Sequence, residues 1–143
     1  MDADHFLLHF RLGLVYLQKE MGRQAIEEMK RAVSLSGRGT ETLTGLAQAY
    51  AAAGMEDQMQ AVVDEMHGQS DRRYVSPYNM SRVYAASRNT ELAFAWLEKA
   101  YQERNPDLIE LKAEPVFDTI RSDSRFAGLL HRVGWRADAA PGT

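Results

Sequence analysis

Residues 12–32 read "LGLVYLQKEMGRQAIEEMKRA". Thirty-four positions on, residues 46–66 read "LAQAYAAAGMEDQMQAVVDEM". After the same interval, residues 80–100 read "MSRVYAASRNTELAFAWLEKA". Tyr16, Tyr50 and Tyr84 align, as do Ala25, Met59 and Ala93. So do Met29, Val63 and Leu97, then Ala32, Met66 and Ala100. Ahead of the tyrosines, Leu12, Leu46 and Met80 align, followed by Gly13, Ala47 and Ser81. Apolar or small character holds in every column with no insertion. A fixed period of this length marks a stack of small supersecondary units.

Each block divides into two amphipathic helices, so the chain is expected to be all-α. The spacing predicts helices over 6–19 and 23–35, over 40–53 and 56–67, and over 77–87 and 91–103. Thr40 is placed to cap the second pair after the turn Gly37-Arg38-Gly39. Ser76-Pro77 offers an N-cap followed by proline at the first helical position. Gly54 and Gly68 end helices. Short loops make paired helices antiparallel neighbours. Gly13, Ala47, Ser81, Ala25, Ala93, Ala32 and Ala100 let helices approach closely, with the tyrosines as wedges. Leu12, Gly13 and Tyr16 are expected to pack on the second helix of their own pair. Each large side chain so buried contributes roughly 1.5–3 kcal/mol.

The order Leu12-Gly13, Tyr16, Ala25, Met29, Ala32 resembles the tetratricopeptide repeat. Leu46-Ala47, Tyr50, Gly54, Val63 and Tyr84, Ala93, Leu97, Ala100 continue the resemblance. It implies a right-handed superhelical array of three units, about 6–39, 40–73 and 74–107, in a single domain over 1–136. Departures are His9, Leu43 and Pro77 where the family has a large aromatic, and Gly37 in place of a closing proline.

Residues 104–135, "RNPDLIELKAEPVFDTIRSDSRFAGLLHRVGW", break the residue period. A short helix from Pro106 and an apolar turn at Val116, Phe117 and Ile120 are expected. A last helix follows, capped by Ser122 or Asp123 and carrying Phe126, Leu129, Leu130 and Val133. Residues 108–135 then form the terminal cap that a repeat array needs. The segment resembles the end of tetratricopeptide regions attached to bacterial winged-helix regulators, protein kinases and nucleotide cyclases. Residues 137–143 are expected to be a disordered tail.

The 143 residues carry a net charge of −3 with both signs dispersed, which argues against a nucleic-acid binder and a polybasic membrane contact. No cysteine is present, excluding disulfides and thiolate metal sites and favouring a reducing, cytoplasmic setting. The apolar run 5–17, "HFLLHFRLGLVYL", is too short to span a bilayer. Its acidic flank Met1-Asp2-Ala3-Asp4 and the interrupting Arg11 do not suit a signal peptide.

Catalysis finds no supporting pattern: no glycine-rich phosphate loop and no nucleophile elbow. His5 and His9, four apart, are the sole residues behind a metal-dependent enzyme, yet Phe6 stands where a zinc protease motif has glutamate. No catalytic, cofactor or metal site is therefore assigned. His67 and His131 are isolated. Glu27-Glu28 and Glu110-Glu114 read as solvated faces, and Arg38 and Arg72-Arg73 as solvated loops.

Binding remains. The resemblance implies a concave surface lined by the first helix of each unit. That places Leu7, Phe10, Leu14 and Leu17 there, then Thr44, Gln48 and Ala51, then Tyr78, Asn79, Arg82 and Ala85. Family members that clamp a peptide carboxylate use polar side chains where this chain has Phe10, Leu14, Gly45, Val75 and Asn79. Only Asn79 is polar, so such a clamp does not fit. The expectation is a non-catalytic scaffold that takes an apolar or amphipathic peptide or helix, or self-associates as a homodimer through its first helix. A second reading makes the chain the C-terminal regulatory module of a larger bacterial signalling or transcription-regulating protein.

Overall fold

The repeating columns become a repeating hairpin. In a computed structural model, residues 2–68 and 74–139 are described, with seven α-helices and two 3-10 turns among them. The helices are α1 (Asp2–Gln18), α2 (Gly22–Leu35), α3 (Thr40–Ala52), α4 (Glu56–Gly68), α5 (Pro77–Ala86), α6 (Thr90–Gln102) and α7 (Ser124–Ala139). The 3-10 turns, Pro106–Glu110 and Pro115–Thr119, lie between α6 and α7.

The same turn closes α1 onto α2, α3 onto α4 and α5 onto α6. The amide of Met21 donates to the Tyr16 carbonyl at 2.8 Å, Met55 to Tyr50 at 2.9 Å, and Asn89 to Tyr84 at 3.0 Å. One residue before each donor the backbone turns left-handed, with φ of 58° at Glu20, 76° at Gly54 and 62° at Arg88. Such a residue satisfies helix-end carbonyls that would otherwise lack donors. The aligned tyrosines thus mark a backbone device as well as a side-chain wedge. Tyr84 is buried, while Tyr16 and Tyr50 are half-buried.

The small and apolar columns of the second helices are the core. Ala25, Met59, Ala93, Met29, Val63, Leu97, Ala32, Met66 and Ala100 are all at most 2% exposed. Gly13 makes room: a Cβ there would stand 2.7 Å from Met29 Cε.

The chain divides into two compact units, Met1–Val75 and Ser76–Thr143. In the first, α1 packs on α2, α2 on α3, α3 on α4, and α1 also meets α3. Gly39, rather than Thr40, is the N-cap residue of α3 and gives no side-chain bond; Thr40 is already helical. The junction is instead held by Ser36 Oγ and Thr42 Oγ1, 2.7 Å apart. In the second unit, α5 packs on α6 and α6 on α7. Ser76 caps α5 by accepting the Asn79 amide and also accepts Asn105 Nδ2 at 2.8 Å. Proline at the first position of α5 completes that start.

The closing segment departs from the expectation of a broken period. The second helices begin at Gly22, Glu56, Thr90 and Ser124, each 34 residues after the last. α7 therefore keeps the spacing of α2, α4 and α6. The two 3-10 turns lie where a first helix would be. Pro115 starts the second of them and packs it on α5. Phe117, Phe126, Leu111 and Ile120 fill this part of the core, each at most 2% exposed. The Asp123 carboxylate accepts the Arg125 amide at 2.9 Å at the head of α7, as its sequence position suggests. α7 runs to Ala139, so residues 137–139 of the expected disordered tail are helical; residues 140–143 lie outside those described.

Candidate interaction surface

Helix α1 carries apolar side chains nearly all the way round, and α2 and α3 cover only part of it. Gly13 faces α2 beneath Met29. His9 also faces α2, its Nδ1 lying 2.7 Å from Glu28 Oε1. Phe10 turns toward α3, where its ring comes within 2.9 Å of the point a Gly45 Cβ would occupy. Phe10, Leu14 and Leu17 are consequently half-buried, and Leu7 is 40% exposed.

Leu8 and Val15 are more exposed than Leu7, and Leu12 nearly as much. Leu8 is 55% exposed, Val15 46% and Leu12 37%. These three are spaced i, i+4 and i+7 and share one face of the helix. Leu12, expected to pack within its own hairpin, keeps 37% of its surface in water, while Gly13 lies against Met29 of α2. A repeat column is shared by every unit and does not say whether a neighbour covers that face.

In α3, Gln48 is buried, and its Oε1 has no hydrogen-bond donor among the described residues. The four expected groove residues of α5 are engaged within their own unit. Tyr78 is 2% exposed and meets Phe117 edge-on, with ring centroids 5.7 Å apart. Arg82 reaches Glu114 at 3.4 Å and donates to Asn79 Oδ1 at 3.3 Å. Ala85 lends its carbonyl to Thr119 Oγ1 at 2.8 Å. Tyr78, Asn79 and Arg82 therefore serve the cap rather than stand open to a ligand, because the turn after Glu114 lies on that face. Burial, and next the negative charge of Glu114, push the Tyr78 phenol above its ordinary range.

Several solvated-surface expectations change too. Glu28 takes both His9 and Arg31. Glu114 is tied to Arg82, and Arg38 forks onto Glu65 at 2.5 and 2.6 Å. That bidentate bond holds the Glu65 carboxyl below its usual range. Arg72-Arg73 lie outside the described residues. Among the described residues no three His, Cys, Asp or Glu side chains gather as a metal set.

A cleft of about 560 Å³ beside α7 is lined by Pro115, Phe126 and Leu130, with Lys112 and Arg121 at its walls. Arg121 is spent on the fold: it donates to Asp118, the Lys112 carbonyl and the Glu114 carbonyl at 2.8–3.0 Å. It also stacks 5.1 Å above Phe126. Sequence reading missed this pin, since nothing local marks an arginine that binds carbonyls seven and nine residues back.

No described helix is long and apolar enough to cross a membrane. No curated protein and no solved structure matches the chain. Residues 8–38 match the family model of the tetratricopeptide repeat, over the α1–α2 hairpin whose turn recurs twice more. That hairpin is similar to a tetratricopeptide repeat, and the described residues around it form helices and no strands, consistent with an array of such hairpins.

Proposed function

We propose that this protein is a non-catalytic interaction module of the cytoplasm that binds an amphipathic helix or apolar peptide along α1. The carrying observation is that α1 leaves large apolar side chains in water although two helices pack on it. Leu7, Phe10, Leu14 and Leu17 form the contact line: Leu7 is exposed and the other three are half-buried. Amphipathic helices are received in grooves through apolar residues of this kind. Repeat scaffolds present such surfaces on rigid helices.

A displayed library of amphipathic helical peptides tests this. A selected peptide should lose about tenfold or more in affinity against Leu14→Asp, with helical circular dichroism unchanged. Unchanged affinity would remove this surface. Sedimentation of the protein alone tests self-association: a dimer dispersed by Leu14→Asp would make a second copy the occupant.

A further inference from the structure

We propose that the cleft beside α7 binds a small amphiphilic carboxylate, its apolar tail on α7 and its anionic head at Lys112. The cleft exists because two 3-10 turns stand where the last hairpin would have a first helix. Ala127 falls in the column of Ala25, Met59 and Ala93. Those three are at most 2% exposed, in hairpins whose first helices are complete. Ala127 is exposed, and Leu130, three positions on along the same flank, is only half-buried. Phe126 and Leu129 take the inward face of α7 and leave this flank open. Opposite it stand Ala113 and Pro115, both exposed. The space between is about 560 Å³, within the range of small-ligand sites, which combine apolar walls with a few polar groups.

The charges at the rim select the ligand. Arg121 donates to the carbonyls of Lys112 and Glu114, and its cation is answered by Asp118 at 2.8 Å. Those groups are thereby engaged by the fold. Lys112 is exposed, and its ammonium makes no hydrogen bond or ion pair among the described residues. The cleft thus presents apolar surface and one uncommitted positive charge. An ammonium is a compact point charge that draws an anionic oxygen without fixing its plane. An alkyl carboxylate meets both features, whereas a cationic amphiphile meets only the first.

Octanoate is the probe, titrated calorimetrically into the full chain, with octylammonium as the control of opposite charge. One saturable site is expected, weakened about two- to fivefold by Lys112→Gln and weakened also by added salt. Octylammonium should bind more weakly than octanoate, and Lys112→Gln should narrow the difference. Ala127→Trp, at an exposed position, should fill the cleft and abolish binding while the thermal melt stays native. Leu14→Asp should leave octanoate binding intact, so this test and that of the peptide-binding reading fail separately. The inference is overturned by an absence of saturable binding, by equal binding of octylammonium, by unchanged affinity in Lys112→Gln, or by octanoate retained in Ala127→Trp. Loss of binding in Leu14→Asp also overturns it, because the apolar face of α1 would then hold the tail.

Discussion

The guanidinium of Arg125 lies 4.5 Å above the ring of Phe94, 31 positions back on α6. Its nitrogens also reach both oxygens of Glu91 at 2.9 and 3.1 Å, and Asp123 on its other side. One heptad later the arrangement recurs: Arg132 stacks 4.6 Å over Tyr101 and donates to Glu98. In both cases arginine and glutamate are 34 residues apart, the repeat period. These two clamps fasten α7 to α6. Arginine suits both because its flat, forked cation stacks and chelates at once.

Arg125→Lys should therefore lower Tm although the charge is kept, and Arg125→Ala should lower it more. The acid dependence gives a sharper test. Arg125 holds the Glu91 and Asp123 carboxyls below their ordinary values. A depressed folded-state pKa contributes stability above the unfolded value, which is lost as pH falls through the folded one. The Tm gap between native protein and Arg125→Ala should be widest above about pH 5 and narrow below about pH 4. A gap constant across that range would show that the carboxylates contribute nothing.

Gly45 and Met29 should be energetically coupled. A Cβ on Gly45 meets Met29 Sδ at 2.8 Å and Phe10 Cε1 at 2.9 Å. Overpacking of this kind costs about 1–3 kcal/mol, while the better helix propensity of alanine returns about 1 kcal/mol. Gly45→Val, without that return, should cost the full amount. Met29→Ala alone opens a cavity worth about 2–5 kcal/mol. The pair Gly45→Ala with Met29→Ala should cost less than the sum of the singles by about 1 kcal/mol, read from denaturant midpoints. Strict additivity would mean that the thioether moves aside freely.

These contacts show where sequence reading holds and where it stops. The hairpins were legible because close helix approach demands small residues at fixed intervals, and Ala25, Ala32, Ala93 and Ala100 supply them. The period of α7 was hidden because its buried residues shifted. Ala127 and His131 fall in the repeat columns yet are exposed, while Phe126 and Leu129 are buried. Long-range pairs such as His9–Glu28 and Arg82–Glu114 left no local trace. For the same reason Tyr78 and Arg82 resembled groove residues until the segment from Glu114 to Thr119 was seen to cover them.

Tyr78 offers a prediction of opposite sign to most core substitutions. Its hydroxyl is buried and has no hydrogen-bond partner among the described residues. An unsatisfied buried hydroxyl costs about 1–3 kcal/mol. Tyr78→Phe should then stabilise the protein by about 1 kcal/mol, whereas Phe117→Ala should cost about 3–5 kcal/mol. Because the folded phenol titrates above its unfolded value, its stability contribution is present below about pH 10 and is lost as pH rises beyond it. Tyr78→Phe should also flatten the alkaline loss of Tm. A variant less stable than native at neutral pH would mean that the hydroxyl is satisfied in solution.

The three hairpin turns test one backbone conformation with three different residues. Glu20, Gly54 and Arg88 all have φ between 58° and 76°. Left-handed backbone costs a side-chain-bearing residue about 1–2 kcal/mol, and glycine escapes that cost. Gly54→Ala should therefore destabilise by about 1 kcal/mol, though no atom lies within 4 Å of the added Cβ. Glu20→Gly and Arg88→Gly should go the other way, by a few tenths to about 1 kcal/mol, because the looser unfolded chain takes back part of the relief. Urea midpoints at unchanged m read these differences in stability. A neutral Gly54→Ala would show that the α3–α4 turn can abandon its Met55–Tyr50 bond at no cost, and the three hairpins would then not share one closing mechanism.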